Sequence, residues 1–129
     1  MILVDSNFFI ALINEKDQYH KRAIELSKEI MDEDDKIVPL LMLSEVVASL
    51  SSRCDGKIAK IAYETIIDNF TVYFPDERDI KESMNLVLKY NSLSLADCLA
   101  VYLMKEKEMI TIYSFDSDFD KVNGILRKS

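Results

Sequence analysis

The sequence predicts an α/β fold in which helices cover a parallel β-sheet, and three observations predict it. Short runs of consecutive apolar residues alternate along the chain with longer segments of helical periodicity, the pattern of strands buried on both faces. Only two glycines and two prolines occur, which favours helix over a loop-rich all-β design. The 129 residues, 49% of them hydrophobic, suffice for one compact core. We expect a single domain over residues 1–129, with no repeat or dividing linker.

The elements follow in order. Met1 to Val4 is an apolar run that stops at Asp5-Ser6-Asn7, a buried strand followed by residues that cap a short helix beginning near Phe8. From Tyr19 to about Met31, the residues Ala23, Ile24, Leu26, Ile30 and Met31 recur near helical spacing, and Asp32 to Asp35 forms an acidic stop. Lys36-Ile-Val-Pro39 is the second strand. Leu40 to Leu50 is apolar around nearly its whole circumference, as expected for a buried helix. A helix from about Lys57 to Asn69 leads into a third strand, Thr71-Val-Tyr-Phe74, closed by Pro75-Asp76. Asp76 can cap a helix running to about Tyr90, and Ser94 can start another, largely buried one through Met104. Met109-Ile-Thr-Ile-Tyr113 is the fourth strand. Ser114 to Val122 then forms a turn into a short helix that Gly124 ends.

Several chemistries are excluded. The net charge of −7 rules out a uniformly basic nucleic-acid coat, though not a nucleic-acid enzyme whose acids gather in one metal site. Cys54 and Cys98 make no zinc spacing, and we expect reduced thiols in a cytoplasmic protein. The apolar start lacks a basic leader and is broken by polar residues, so it fits neither a signal peptide nor a membrane span. His20 is the only histidine, which removes Ser-His and Cys-His nucleophile systems and the HExxH zinc motif, and on its amphipathic helix it reads as a surface or boundary residue. With only Gly56 and Gly124 available, neither a Walker loop nor GxGxxG can be built. Cys98 and the Phe8-Phe9 pair read as packing residues, the latter in the core or on a dimer surface.

The acids are more informative. Ligands of parallel α/β sheets bind beyond the carboxyl ends of the strands, and here the first and fourth strands are followed by Asp5 and Asp116. Glu45 and Asp97 interrupt mainly apolar helices, where an unpaired carboxylate carries a large desolvation penalty. Four carboxylates in one cleft repel unless a cation sits among them; magnesium or manganese prefers such oxygen ligands and would leave a phosphate ester as the natural substrate.

Val4-Asp5-Ser6-Asn7, Ser44-Glu45-Val46, Leu95-Ala96-Asp97 and Ser114-Phe115-Asp116-Ser117-Asp118-Phe119, in this order and spacing, resemble the metal-dependent PIN-domain ribonucleases and, within them, the compact VapC-type toxins. The resemblance spans nearly the whole chain. It implies a three-layer α/β/α sandwich with a central, mostly parallel sheet of four or five strands. It also implies that Asp5, Glu45, Asp97 and Asp116 form a catalytic Mg2+ or Mn2+ site, with Asn7 and Ser114 supporting it and Asp118 as an additional ligand. The implied activity is hydrolysis of RNA phosphodiester bonds by a metal-activated water, and the implied partners are RNA, a cognate antitoxin and a second copy of the chain.

Plainer readings stand beside each motif. Asp5-Ser6-Asn7 and Asp116-Ser117 can be helix caps, Ser94 to Asp97 fits a capping box, and Glu45, Ser49 and Ser52 share a stripe that can face water. Arg53, Lys57, Lys60 and Lys121, with Arg127 and Lys128, are candidate phosphate contacts or plain solubilising charges. Three rivals complete the set: a housekeeping RNA-processing nuclease, an inert PIN-like protein-binding module, and a phosphatase. The last is disfavoured because Asp5-Ser6-Asn7 lacks the second aspartate of a DxD nucleophile pair.

Overall fold

The first apolar run can only be a strand buried on both faces: Ile2, Leu3 and Val4 are all essentially inaccessible in the computed structural model, which describes residues 1–129. The chain forms β1 (Ile2–Val4), α1 (Ser6–Ile13), α2 (His20–Met31), β2 (Lys36–Pro39), α3 (Leu40–Arg53), α4 (Gly56–Asn69) and β3 (Thr71–Tyr73). It continues through α5 (Glu77–Lys89), α6 (Leu95–Glu106), β4 (Thr111–Tyr113), a 3-10 turn at Ser117–Lys121 and β5 (Leu126–Lys128).

All neighbouring strands are parallel and lie in the order β3-β2-β1-β4-β5. The chain winds from β1 outward to β3, then crosses back and winds outward again on the other side of β1. The strand order therefore reverses between β1 and β4, and a crevice opens at their carboxyl ends. Six helices flank the sheet. Parallel crossovers are almost always right-handed, which puts α1 to α4 on one face and α5 and α6 on the other. The packing agrees, because α1 meets α2 and α3, α3 meets α4, and α5 packs on α6. No helix is long and apolar enough to cross a membrane.

The five strands fall within the four or five that the resemblance implies, although the apolar runs marked only four, and two other expectations need correction. The fifth strand, Leu126–Lys128, carries no apolar signal because it is an edge strand with a single neighbour, β4, and its residues are exposed or half-buried. The segment before it is a 3-10 turn rather than a helix ended by Gly124. It stops at Val122, and Gly124 takes φ +84° in the turn that redirects the chain into β5. Helix α3 is not buried all round: Met42, Leu43, Val46 and Leu50 face the core, while Ser44, Glu45 and Ala48 are exposed, because α3 packs on α1 and α4 without being enclosed. Helix α6 is the buried helix, with Ala96, Cys98 to Val101, Leu103 and Met104 all inside.

Helix α6 ends in a Schellman turn. Met109 N–H donates to Met104 O (2.8 Å) and Glu108 N–H to Lys105 O (3.3 Å), which forces Glu108 to φ +56°. A non-glycine residue is strained there, so Glu108→Gly should raise stability by about 1 kcal/mol, read as a shift in the denaturant midpoint at unchanged slope.

Candidate active site

The crevice at the β1/β4 switch point is lined by acids held in a hydrogen-bond frame. Asp5 follows β1 and is 3% exposed; it caps α1 by accepting from Ser6 N–H at Oδ1 (2.7 Å). Its other oxygen, Oδ2, accepts a short bond from the buried Ser114 hydroxyl at the end of β4 (2.6 Å). That hydroxyl oxygen also accepts from Asn7 Nδ2 (3.3 Å) and Asp116 N–H (3.0 Å), while Asn7 Oδ1 accepts from Phe115 N–H (3.1 Å). With both lone pairs occupied, the only hydrogen of Ser114 is committed to Asp5. Asn7 and Ser114 thereby lock the ends of β1 and β4 together.

Glu45 comes to the same place from α3. The residue is exposed, but its Oε1 lies 3.2 Å from Ser6 Oγ, which is also 3.2 Å from Asp5 Oδ1. One hydroxyl hydrogen thus stands between two carboxylates. Ser6 was not singled out from the sequence as a supporting residue; its position between Asp5 and Asn7 was the available signal.

Asp97 sits at the start of α6 in a reciprocal capping box, its Oδ2 accepting from Ser94 N–H (3.2 Å) while Ser94 Oγ accepts from Asp97 N–H (3.2 Å). It is within electrostatic reach of Asp5, Glu45, Asp116 and Asp118. Asp116 caps the 3-10 turn by accepting from Asp118 N–H at Oδ1 (2.9 Å). Asp5, Asp97 and Asp116 are therefore caps, and the same three gather with Glu45 around one crevice.

The electrostatics record this crowding. Burial above all, reinforced by Asp97 and Glu45, pushes the Asp5 carboxyl up to about 7 against the lowering effect of its bonds from Ser114 and Ser6. Glu45 and Asp97 are also raised, foremost by desolvation and then by their acidic neighbours, and no lysine or arginine is among the causes.

The donor set suits a hard divalent cation: all oxygen, several negative charges, no compensating base. No three acidic, histidine or cysteine side chains approach closely enough to be direct ligands of one ion. Such an open arrangement fits a cation that keeps part of its water shell and touches one or two carboxylates.

The predicted phosphate contacts fare unevenly. Arg53 and Lys57 are exposed and have no ion-pair partner, and Lys60 is only loosely paired with Glu64 (3.9 Å). Lys121 bonds Asp118 (3.1 Å) and Ser92 (3.1 Å). Arg127 is a correction: it clamps Asp120 with Nε (2.9 Å) and Nη2 (3.0 Å) and donates Nη1 to Ser114 O (3.2 Å). Lys128 is another, paired with Glu29 (3.3 Å). The basic surplus of the last residues is spent because β5 returns them beside acids from elsewhere in the chain. Through Ser114 N–H to Lys128 O (3.1 Å), β5 also braces the strand end that carries Ser114. His20 is half-buried with Nδ1 2.8 Å from Ala11 O, and Phe8 and Phe9 are buried and packed edge to face (5.4 Å).

Away from the acids, α1, α2 and α4 frame an apolar groove of about 430 Å³, lined by Phe9, Leu12, Met31, Ile58, Ile61 and Phe70 among others. Met31 and Ile61 are exposed on it, whereas Tyr19 lies elsewhere and stacks on Phe115.

The chain matches the family model described as PIN domain over residues 2–125. Ribonuclease VapC13 of Mycobacterium tuberculosis is 27% identical over 129 residues, covering 98% of each chain. VapC20 of the same organism, a sarcin–ricin loop cleaving toxin, superposes with TM-score 0.87 at 21% identity over 97% of each chain. A toxin–antitoxin complex from Klebsiella pneumoniae contains a chain that superposes with TM-score 0.69 at 18% identity, covering 98% of this chain and 96% of that one. At such identities the structural likenesses establish the fold.

Proposed function

The chain belongs to the PIN-domain family, and from that premise we propose that it is a divalent-metal-dependent endoribonuclease and the toxin of a toxin–antitoxin pair. The observation that carries the reading is Asp5: a buried carboxylate at the switch point of a parallel sheet, crowded by Asp97 and Glu45 with no base to neutralise it. Structural acids that only cap helices have no need to gather in this way.

Asp5, Glu45, Asp97 and Asp116 would hold Mg2+ or Mn2+, one or two of them directly and the others through its water shell, with Asp118 at the margin. The bound ion supplies a lowered water pKa and positive charge for the phosphate as it passes through its transition state. The remaining work falls to the chain. Ser114 and Asn7 hold the Asp5 carboxyl at a fixed orientation. Ser6 shares one hydrogen between Asp5 and Glu45, so a proton gained by either can be passed along without moving a side chain. Asp97, anchored by Ser94, stands within electrostatic reach of the other acids.

RNA approaches a chain of net charge −7, so neutralisation of the acids and exposed cations such as Arg53 and Lys57 would assist its docking. For the antitoxin, the apolar groove between α1, α2 and α4 is an unfilled apolar surface and the natural seat for a partner's apolar face. A second copy of the chain has Met84 and Leu88 available, one turn apart and exposed on α5. We place the protein in the cytoplasm, where Cys54 and Cys98 stay reduced and RNA is at hand.

The test is cleavage of structured and single-stranded RNA by the purified chain. Activity should require added Mg2+ or Mn2+, stop in excess EDTA and return on adding back the metal. Cleavage that persists in EDTA, or none with any RNA under these conditions, would overturn the proposal.

A further inference from the structure

Beside the acidic crevice lies a second, open depression of about 430 Å³ with a different character. Its walls are Tyr19, Arg22, Phe115, Ser117, Arg127 and Ser129, with no acidic side chain among them. Tyr19 and Phe115 stack almost parallel, ring centroids 4.5 Å apart and planes inclined by 5°. Both are fixed at the backbone, Tyr19 N–H donating to Asp17 Oδ1 (2.8 Å) and Phe115 N–H to Asn7 Oδ1 (3.1 Å). Tyr19 is 41% exposed, so part of the stack remains open to solvent.

The location matters as much as the composition. Phe115 lies between Ser114, which holds Asp5, and Asp116, so the aromatic stack is one residue from the acidic site on the same loop. Arg127 reaches the same loop through Ser114 O (3.2 Å), and Arg22 joins the lining from α2. Each guanidinium has five N–H groups, and the three internal bonds made by each leave two free.

We propose that this depression is a nucleobase seat, in which an unpaired base of the RNA extends the Tyr19–Phe115 stack while the free N–H groups of Arg22 face the adjoining backbone phosphate and Arg127, neutralised by Asp120, braces the Phe115 loop. Unpaired bases are held by stacking on aromatic rings and guanidinium planes, and arginine is the side chain suited to phosphate. The stack is already formed and anchored, so little ordering is needed on binding. A base here sets which nucleotide flanks the cut, which makes Tyr19 and Phe115 specificity residues and not catalytic ones. The inference takes its substrate class from the ribonuclease reading above.

The test is fluorescence anisotropy of a short single-stranded RNA, and of the same strand with one base at a time removed, on the wild-type chain, Tyr19→Ala and Tyr19→Phe. Stacking predicts that removal of one particular base weakens wild-type binding between about fivefold and a hundredfold. Tyr19→Ala should lose a similar factor on the intact strand and nothing further on the abasic one, while Tyr19→Phe retains affinity. In cleavage assays KM should rise in Tyr19→Ala with kcat nearly unchanged. Unaltered RNA affinity in Tyr19→Ala, losses that simply multiply, or a loss confined to binding of a protein partner would each overturn the seat. Absence of any RNA binding would do the same. Tyr19-dependent binding without cleavage would sink the nuclease reading and leave the seat standing; metal-dependent cleavage indifferent to Tyr19 would do the reverse.

Discussion

Asp97→Asn should lower metal-dependent RNA cleavage by at least about a hundredfold while leaving the fold intact. The substitution is close to a pure removal of charge. Asparagine retains an oxygen that can accept from Ser94 N–H, so the capping box at the start of α6 survives. What disappears is a negative charge within reach of Asp5, Glu45, Asp116 and Asp118. Stability should change by no more than about 0.5 kcal/mol. Calorimetric titration with Mn2+ should show saturable binding in the wild type and none, or a much weaker event, in the variant. Full activity and unchanged Mn2+ affinity in Asp97→Asn would remove Asp97 from the site.

The second large effect is a change of sign with pH. In the folded, metal-free chain burial holds the Asp5 carboxyl at about 7, whereas in the unfolded chain it titrates near 4. Below pH 4 both states are protonated and Asp5 carries no penalty. Between about pH 4 and 7 the folded state binds more protons than the unfolded one, so stability falls as pH rises, by about 4 kcal/mol in all. Glu45 and Asp97 push in the same direction. Asparagine at position 5 cannot ionise and escapes that loss. It does place an amide N–H₂ or a misdirected oxygen against Ser114, whose lone pairs are already taken by Asn7 and Asp116, at a cost of about 1–2 kcal/mol. Asp5→Asn should therefore be less stable than wild type near pH 4 and more stable, by about 2 kcal/mol, above pH 7 in EDTA. Denaturant unfolding at the two pH values checks this. Added Mn2+ should stabilise the wild type above pH 7 and not the variant, by mass action on the folded state. Parallel pH dependence in the two proteins would show that Asp5 ionises freely.

How far the sequence could be read depended on what kind of signal each residue carries. Strand β1 and helix α6 were legible because local composition demands burial; a run such as Ile2-Leu3-Val4 or Cys98-Leu-Ala-Val101 has no other stable environment. The abrupt change to Asp5 after an apolar strand, and the Ser94-to-Asp97 spacing, were legible for the same local reason. Strand β5 was not, since an edge strand with one neighbour is selected by a partner's open hydrogen-bonding groups and not by its own hydrophobicity. Arg127 and Lys128 read as free cations because no local pattern pairs Arg127 with Asp120, across the turn into β5, or Lys128 with the distant Glu29.

The order of apolar runs and helical periods, by itself, determined an α/β chain with acids following the first and fourth strands, because periodicity and capping act over a few residues. Only the tertiary structure decided that Ser6 stands between Asp5 and Glu45, that Ser114 has a single direction for its hydrogen, and that Tyr19 meets Phe115. Those contacts join residues 39, 109 and 96 positions apart, or depend on such a join. No local pattern encodes them: they exist because parallel pairing of β1 with β4 brings two distant strand ends to one crevice, and burial there sets the charge each acid can carry.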